Sequence, residues 1–216
     1  MRKYEIVVLS KGAFARTLKI YAPRKAERAV IVCDGTDAVD IFIAALESLR
    51  IKNTAVIALE GAQSQLDFLP FDTAEGNGGA QAFYEFLSDA AIPYLDKRFG
   101  FGFYGAFGAG TSGIAAIHAA TKKRNNLKAF AALSAPYFCG GTNLDAFLKD
   151  NDFADAFYYI FTNRDLQISA DIQDAYQTSA FCVYKRIREF TDNAVFRIDR
   201  DNKSAIREFL TEFSKI

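Results

Sequence analysis

Short apolar runs alternate along the chain with longer segments in which apolar residues recur at the spacing of a helix. Uninterrupted apolar runs of this kind are typical of strands that are buried on both faces of a sheet. The β-rich runs predict strands over residues 29–33, 54–59, 103–107, 129–133, 157–161 and 194–198. The helical spacing predicts helices over residues 38–49, 80–97, 111–122, 144–148, 168–190 and 205–213. Strands that alternate with helices indicate a mainly parallel sheet with helices on both faces.

Two more β-rich runs, residues 4–9 and 17–21, precede this alternation. The turn-forming segment over residues 11–13 lies between them and predicts a hairpin, which adds an antiparallel edge to the sheet. Pro93 is expected to kink the helix that contains it. The helix over residues 38–49 is expected to bury Ile41, Phe42, Ala45 and Leu49. Residues 60–79 show no clear periodicity, and loops of this length in compact domains are often functional.

Composition narrows the class of protein further. At 216 residues the chain is expected to form one domain over residues 1–216. Acidic and basic residues balance, with 26 of each, so neither nucleic acid nor a membrane surface is an expected partner. No apolar run approaches membrane-spanning length, which makes a cytoplasmic protein the expectation. Cys33, Cys139 and Cys182 lack ligand spacing, and buried thiols in a reducing compartment fit them best.

The stretch over residues 103–120 combines a strand pattern, a run of small residues and an Ala-rich helical pattern. Small residues at such a junction indicate that backbone passes close to backbone. In α/β-hydrolases this junction is the nucleophile elbow, written Gly-x-Ser-x-Gly. The matching residues here read Gly108-Ala109-Gly110-Thr111-Ser112-Gly113, so Gly110 holds the nucleophile's place. The stretch therefore resembles the hydrolase scaffold but lacks the side chain that performs its usual chemistry.

Four stretches in order resemble the esterase D branch of the α/β-hydrolases, which includes enterochelin-type esterases and S-formylglutathione hydrolase. They are a strand ending in Asp-Gly (30–35), an acidic–aromatic–Pro segment (67–71), the helix before the elbow strand (82–95), and the elbow with the following Ala-Ala-Leu-Ser (108–116 and 130–134). The resemblance extends over residues 27–215. It implies a single α/β-hydrolase domain with no large lid and a Ser–His–Asp triad.

The nucleophile of that triad is missing from its expected position. Gly110 has no hydroxyl that could attack a carbonyl group. A shifted register would nominate Ser112 as a displaced nucleophile, but Ile114 would then hold the motif's final glycine place. Cys33 and Cys139 are further alternatives, although neither has a histidine nearby in the sequence and unactivated thiols are usually structural.

The base is also missing, whereas the acid position is retained. The resemblance places the catalytic histidine after the last strand, and residues 196–203 contain none. The chain's one histidine, His118, lies in the helix after the elbow and is expected to be a packing residue with its polar atoms satisfied. Asp165 follows the strand over residues 157–161 and matches the family's acid, where it could pair with Arg164 or Arg200.

Backbone amides are the remaining part of the implied active site. The amide of the residue after the nucleophile helps to form the oxyanion hole, and this residue is Thr111. Amides near Asp34 and Gly35 are candidates for the second donor. Amides at a helix start favour anions, so carboxylates or phosphates are the ligands expected to bind at Thr111, Asp34 and Gly35.

Cofactor chemistry is weakly supported. Gly108, Gly110 and Gly113 happen to match the spacing of a dinucleotide fingerprint, but the strand before them lies in mid-chain. Residues 126–132, where the acidic ribose ligand would fall, contain no acidic side chain. Metal sites lack His and Cys spacing, and Asp199 and Asp201 fit an exposed turn. We expect neither a cofactor nor a metal.

Two classes of function follow from these residues. The first is a non-catalytic esterase homologue that binds a small molecule or a partner protein in the former active-site cleft. The second is an active carboxylic-ester hydrolase or acyltransferase with a displaced nucleophile such as Ser112. The leading hairpin also offers an edge that a second copy could pair with, so a homo-oligomer is possible.

Overall fold

The computed structural model describes residues 4–12, 14–33, 35, 38–60, 64–73, 75–122 and 126–216. Its centre is an eight-stranded sheet with the spatial order β1-β2-β4-β3-β5-β6-β7-β8. The strands are β1 (Glu5–Lys11), β2 (Phe14–Tyr21), β3 (Arg28–Val32), β4 (Thr54–Glu60), β5 (Phe103–Ala109), β6 (Leu127–Leu133), β7 (Phe157–Asn163) and β8 (Ala194–Asp199).

The sheet is mainly parallel, as the sequence predicts. Strands β3 to β8 run parallel to one another. The hairpin of β1 and β2 joins the sheet through the antiparallel pairing of β2 with β4. Because strands β3 to β8 are parallel, their carboxyl ends lie along a single edge of the sheet, and the candidate site lies at this edge.

Helices cover both faces of the sheet. They are α1 (Ala38–Ser48), α2 (Ala80–Phe86), α3 (Ile92–Phe99), α4 (Thr111–Thr121), α5 (Thr142–Asp150), α6 (Ala170–Ile187) and α7 (Asn202–Phe213). Residues of α1 and α7 pack with one face of the strands in one hydrophobic cluster. Residues of α2 to α6 pack with the other face in a second cluster. Burial on both faces explains why the central strands are almost uninterrupted apolar runs.

The predicted helix over residues 80–97 is three segments joined end to end. A π-helical turn, Leu87–Ala91, connects α2 to α3, and the N–H of Ile92 donates to the carbonyl of Leu87. Pro93 follows directly and has no N–H to continue the α-helical ladder. A π-turn beside a residue that cannot donate is one of the recognised ways in which a helix accommodates such a break.

Residues 64–73 and 75–79 pack on the rest of the protein although their sequence shows no periodicity. Phe68, Leu69 and Phe71 are buried, and a 3₁₀ helix spans Gln65–Phe68. Arg16 of β2 is only 4% exposed, and its guanidinium Nη2 lies 2.7 Å from the Asp67 carboxylate. A partly buried ion pair and three buried apolar side chains therefore hold this segment against the hairpin and the core.

Two expectations about burial are wrong. Ile41 is 45% exposed, because the face of α1 that meets the sheet is formed by Val39, Phe42, Ile43, Ala45 and Leu46. Of the cysteines, Cys33 is buried, whereas Cys139 and Cys182 are exposed. No helix in the described part of the chain has both the length and the apolar character needed to span a membrane.

Candidate functional site

Gly110 forms a sharp turn between β5 and α4. Its backbone has φ 60° and ψ −136°, a conformation that is costly for any residue with a side chain. Its N–H donates to the carbonyl of Leu133 at the end of β6, at 2.9 Å. A Cβ atom built on Gly110 would meet nothing within 4 Å. The turn thus has a strained backbone and open space where a nucleophile's side chain would point.

The glycines on either side of the turn have a different role. A Cβ atom on Gly108 would lie 2.1 Å from the carbonyl oxygen of Ser112, and one on Gly113 would lie 3.1 Å from the carbonyl oxygen of Gly108. These contacts hold the first turn of α4 directly against the end of β5. Gly108 is therefore required by close packing, Gly113 has only tight clearance, and Gly110 is favoured by its backbone angles alone.

Ser112, the displaced nucleophile candidate, is 1% exposed. Its Oγ donates to the carbonyl of Ala109 at 2.8 Å and accepts from the N–H of Ala109 at 3.0 Å. Both hydrogen bonds lie within the turn itself. The hydroxyl therefore fastens the strand end to the start of α4 and lies beneath the surface at which a substrate would approach.

The anion-binding amides are only partly available. Thr111 is the first residue of α4, so its N–H has no acceptor within the helix. The N–H of Gly35 donates to the carbonyl of Leu59 at 3.1 Å, so it is already engaged. Asp34 lies outside the described residues. Thr111 is the predicted donor whose geometry suits an anion at this edge.

The carboxyl ends of β7 and β8 bring Asp165 and Arg200 together. Asp165 Oδ2 lies 3.0 Å from Arg200 Nε, with the two side chains 46% and 69% exposed. Arg200 follows β8 directly, where the resemblance places a histidine. Its guanidinium stays protonated at any physiological pH, so it cannot accept a proton as a general base. Asp165, which the sequence predicts as the acid, therefore forms an exposed ion pair with Arg200.

Asn163 organises this pair, and sequence reasoning gave it no role. Its N–H donates to Ser134 Oγ at the end of β6, and its Oδ1 accepts from the N–H of Asp165 at 2.8 Å. Its Nδ2 donates to Asn202 Oδ1 at 3.2 Å. An Asn two residues before an acid at a strand end is a recognisable turn signal, and it could have indicated this function.

His118 lies far from this edge. It is the eighth residue of α4, so it lies about 12 Å along the helix axis from Gly110. It is 5% exposed, and its ring centroid is 6.0 Å from that of Phe147. Burial, with a smaller contribution from Lys122, lowers the pKa of His118 to about 3. Its Nδ1 has no hydrogen-bond partner among the described residues, so the expectation of a fully satisfied packing histidine is wrong.

The cysteine alternatives are poorly placed or poorly ionised for nucleophilic attack. Cys33 is 1% exposed, and its N–H donates to the carbonyl of Phe107. Cys139 lies in the 3₁₀ helix Tyr137–Gly140, and desolvation raises the pKa of its thiol. A raised pKa leaves less thiolate at neutral pH and makes this cysteine a poorer nucleophile. Among all the residues that the structure describes, no group of three or more His, Cys, Asp or Glu side chains could hold a metal ion.

Sequence comparisons find no match to a protein-family model or to a curated protein. Structural comparisons find many matches. The IroE-like serine hydrolase from Shewanella oneidensis is similar with a TM-score of 0.81 and 16% identity, over 99% of this chain and 80% of that chain. The siderophore hydrolase EstB from Aspergillus nidulans is similar with a TM-score of 0.79 and 14% identity, over 99% of this chain and 94% of that chain.

The enterobactin esterase Fes from Shigella flexneri is also similar, with a TM-score of 0.73 and 11% identity. The match covers 98% of this chain and 60% of Fes. Identities this low establish the fold and leave the chemistry open. The strand order, the antiparallel hairpin, the turn after β5 and these structural matches together show that this protein has the α/β-hydrolase fold of siderophore and enterochelin-type esterases.

Proposed function

We propose that this protein is an esterase homologue that has lost its nucleophile and its base, and that binds a small molecule or a partner protein where the esterases cleave their substrates. The observation that carries the proposal is Gly110. Its turn has the strained geometry expected of a nucleophile elbow, yet the residue has no side chain.

The position of the base supports the same proposal. Arg200 lies beside Asp165, and a guanidinium cannot take a proton from a hydroxyl group. His118 is buried in α4 at a distance that a side chain cannot span. Covalent acyl transfer by the usual route needs both a nucleophile and a base, so losing the two together removes that route.

An active hydrolase that uses Ser112 is the less well supported alternative. The Ser112 hydroxyl is buried and makes both of its hydrogen bonds to Ala109. Attack on a substrate would require breaking these bonds and opening the turn. No imidazole among the described residues lies near Ser112 to accept its proton, since His118 is six residues further along α4.

The ligand class we favour is a small carboxylate or ester of the siderophore type. The Thr111 N–H lies at the start of α4, where an anion is stabilised by the helix dipole. Arg200 adds a cation at the same edge of the sheet. Two of the structural neighbours are named as siderophore or enterobactin hydrolases, which makes their ligands the first to test.

Loss of catalysis is tested with a fluorophosphonate probe and a short-chain aryl ester. We expect that the probe labels neither the wild-type protein nor Ser112→Ala, and that neither protein hydrolyses the ester. An active serine hydrolase serves as the positive control. Labelling of the wild type that disappears in Ser112→Ala would establish the displaced nucleophile and refute the proposal. Labelling that persists in Ser112→Ala would refute it as well, and mapping the adduct would identify the nucleophile.

Ligand binding is tested by calorimetry with 2,3-dihydroxy-N-benzoyl-serine and its glycine analogue. We expect Arg200→Glu to weaken binding by about fivefold or more, because the cation becomes an anion at the site. The matched control is Arg197→Glu. Arg197 of β8 forms a similar exposed ion pair with Glu208 of α7, and this substitution should change the affinity less than twofold. Absence of binding, or equal effects of the two substitutions, would refute this ligand assignment.

A further inference from the structure

A second concave site lies at the opposite edge of the sheet from Gly110. It is a cavity of about 590 Å³ between the end of α1 and the sheet. Its lining includes Thr54, the first residue of β4, and Tyr21, the last residue of the antiparallel strand β2. A strand of seven residues spans about 20 Å, so this cavity is separated from the turn at Gly110 by the length of the sheet. Its volume lies in the range of small-molecule pockets.

The interior of this cavity is mainly apolar. Ile43 and Leu46 of α1 form one wall with Ile51, which follows the helix. At the carboxyl end of α1, backbone N–H groups hydrogen-bond to the last carbonyl groups of the helix. The N–H of Leu49 donates to the carbonyl of Ala45, and the N–H of Ile51 donates to the carbonyl of Leu46. These carbonyls are therefore satisfied. Ile43 and Leu46 are 0% and 3% exposed, so the apolar surface open to a ligand belongs to the half-buried Tyr21, Pro23 and Ile51.

The rim of the cavity is basic, in a chain whose net charge is zero. Arg24, Lys25, Arg50 and Lys52 line it, and all four side chains are exposed. Within the described part of the chain, none of these four cations is held in an ion pair. Glu47 is the acidic residue among the lining groups. The excess of positive charge around an apolar interior is complementary to an anion with an apolar body.

Thr54 supplies an independent indication of a ligand. Its side chain is fully buried, and its Oγ1 has no hydrogen-bond partner among the described residues. A buried hydroxyl without a partner costs free energy, so such groups in native proteins call for an explanation. Thr54 lines the cavity, and its Oγ1 is closed to solvent, so a bound ligand forms the missing hydrogen bond only where a local rearrangement uncovers this hydroxyl.

We propose that this cavity binds a small amphipathic carboxylate whose apolar body packs against Tyr21, Pro23 and Ile51. Its carboxylate lies among the four cations at the rim. A hydroxyl or carbonyl group at the far end of its apolar body makes the hydrogen bond to Thr54 Oγ1. The site is independent of what happens at Gly110, because the two lie at opposite edges of the sheet.

The test compares octanoate, 8-hydroxyoctanoate and octylammonium by calorimetry, with chemical shifts of residues 43–54 to locate the site. We expect both carboxylates to bind below their micellar range and the cation not to bind. The hydroxylated chain should bind about three- to tenfold more tightly, which is the contribution of one hydrogen bond. Thr54→Val should abolish that preference while leaving octanoate binding unchanged.

Two further variants separate charge from shape. Arg24→Glu/Lys52→Glu should weaken carboxylate binding by roughly tenfold, because two attractions become repulsions. The matched control Lys97→Glu/Lys149→Glu makes the same change in net charge on α3 and α5 and should leave the affinity unchanged. Ile51→Trp should fill the cavity and abolish binding, with circular dichroism confirming that the variant is folded.

Several results would overturn the proposal. They are no binding of either carboxylate, equal binding of octylammonium, equal effects of the rim variant and its control, or shifts that map away from residues 43–54. A hydroxyl preference that persists in Thr54→Val would overturn the assignment of Thr54.

Discussion

The glycines of the turn after β5 allow a quantitative prediction that separates steric from conformational cost. Gly108→Ala and Gly110→Ala each add one methyl group within three residues of each other. At Gly108 the added Cβ would lie 2.1 Å from the Ser112 carbonyl oxygen and 2.4 Å from the Gly113 nitrogen. At Gly110 it would meet nothing within 4 Å, and only the positive φ of 60° opposes it.

The expected loss of folding stability is therefore larger at Gly108, where the methyl group clashes, than at Gly110, where only the backbone angle opposes it. Real Cβ contacts are essentially never shorter than 3.0 Å, so Gly108→Ala must push the first turn of α4 about 0.9 Å from β5. Ile114, Ala115 and Ala116 of α4 are buried, and this shift would loosen their packing. We expect a loss of about 3 kcal/mol or more for Gly108→Ala. For Gly110→Ala we expect about 1–2 kcal/mol, which is the cost of the backbone angle alone.

Urea unfolding and thermal melting measure both values. In a domain of this size, Gly110→Ala should lower Tm by about 3–6 °C and Gly108→Ala by at least about 8 °C. Gly110→Ser should behave as Gly110→Ala does, because the space beyond its Cβ is open. Equal destabilisation at the two positions would refute the open geometry at Gly110. A neutral Gly110→Ala would refute the strained backbone at Gly110, which the proposed function takes as the geometry of a nucleophile elbow.

Three further predictions concern buried polar groups. Asp67→Asn should cost about 2 kcal/mol in urea unfolding, because it leaves the guanidinium of Arg16, which is 4% exposed, without its carboxylate; a loss below about 0.5 kcal/mol would contradict this. Burial holds the pKa of His118 at about 3, below its ordinary value of 6.5, so the unfolded chain binds the proton more tightly than the folded chain. The stability that depends on neutral His118 is therefore fully present above pH 6.5 and is lost as the pH falls towards 3. Between pH 6.5 and 5 the wild type should lose about 2 kcal/mol more than His118→Leu, and parallel pH profiles would refute this reasoning. Ser112→Ala should cost about 1–2 kcal/mol, because both hydrogen bonds to Ala109 are lost, and unchanged stability would show that the hydroxyl does not fasten the turn.

The proposals at the two edges of the sheet rest on different kinds of observation. At the carboxyl edge, the proposal rests on the strained turn at Gly110, which carries no side chain, and on the ion pair of Asp165 with Arg200. At the opposite edge, an apolar cavity with a basic rim contains a buried hydroxyl without a partner. The assays proposed for the two edges use different ligands and different variants, so either proposal can fail without the other.

The sequence alone determined the order and type of most elements. Central strands are buried on both faces, so they appear as apolar runs, and helices that cover a sheet show helical periodicity because one face of each is buried. These patterns predicted the hairpin, the turn after β5 and the helix that follows this turn. The sequence also shows that residue 110 is a glycine and therefore has no side chain that could act as a nucleophile.

Only the tertiary structure decided which side chains meet. Three sets of contacts join residues from separate elements. They are the ion pair of Asp165 with Arg200, the hydrogen bonds of Asn163 to its neighbours, and the ion pair of Arg16 with Asp67. The cavity beside Thr54 depends on the distance between α1 and the sheet, and no local pattern encodes that distance. Local periodicity reports which face of an element is buried, whereas contacts between elements depend on the packing of the whole chain, and the second kind of information therefore emerges only in the folded domain.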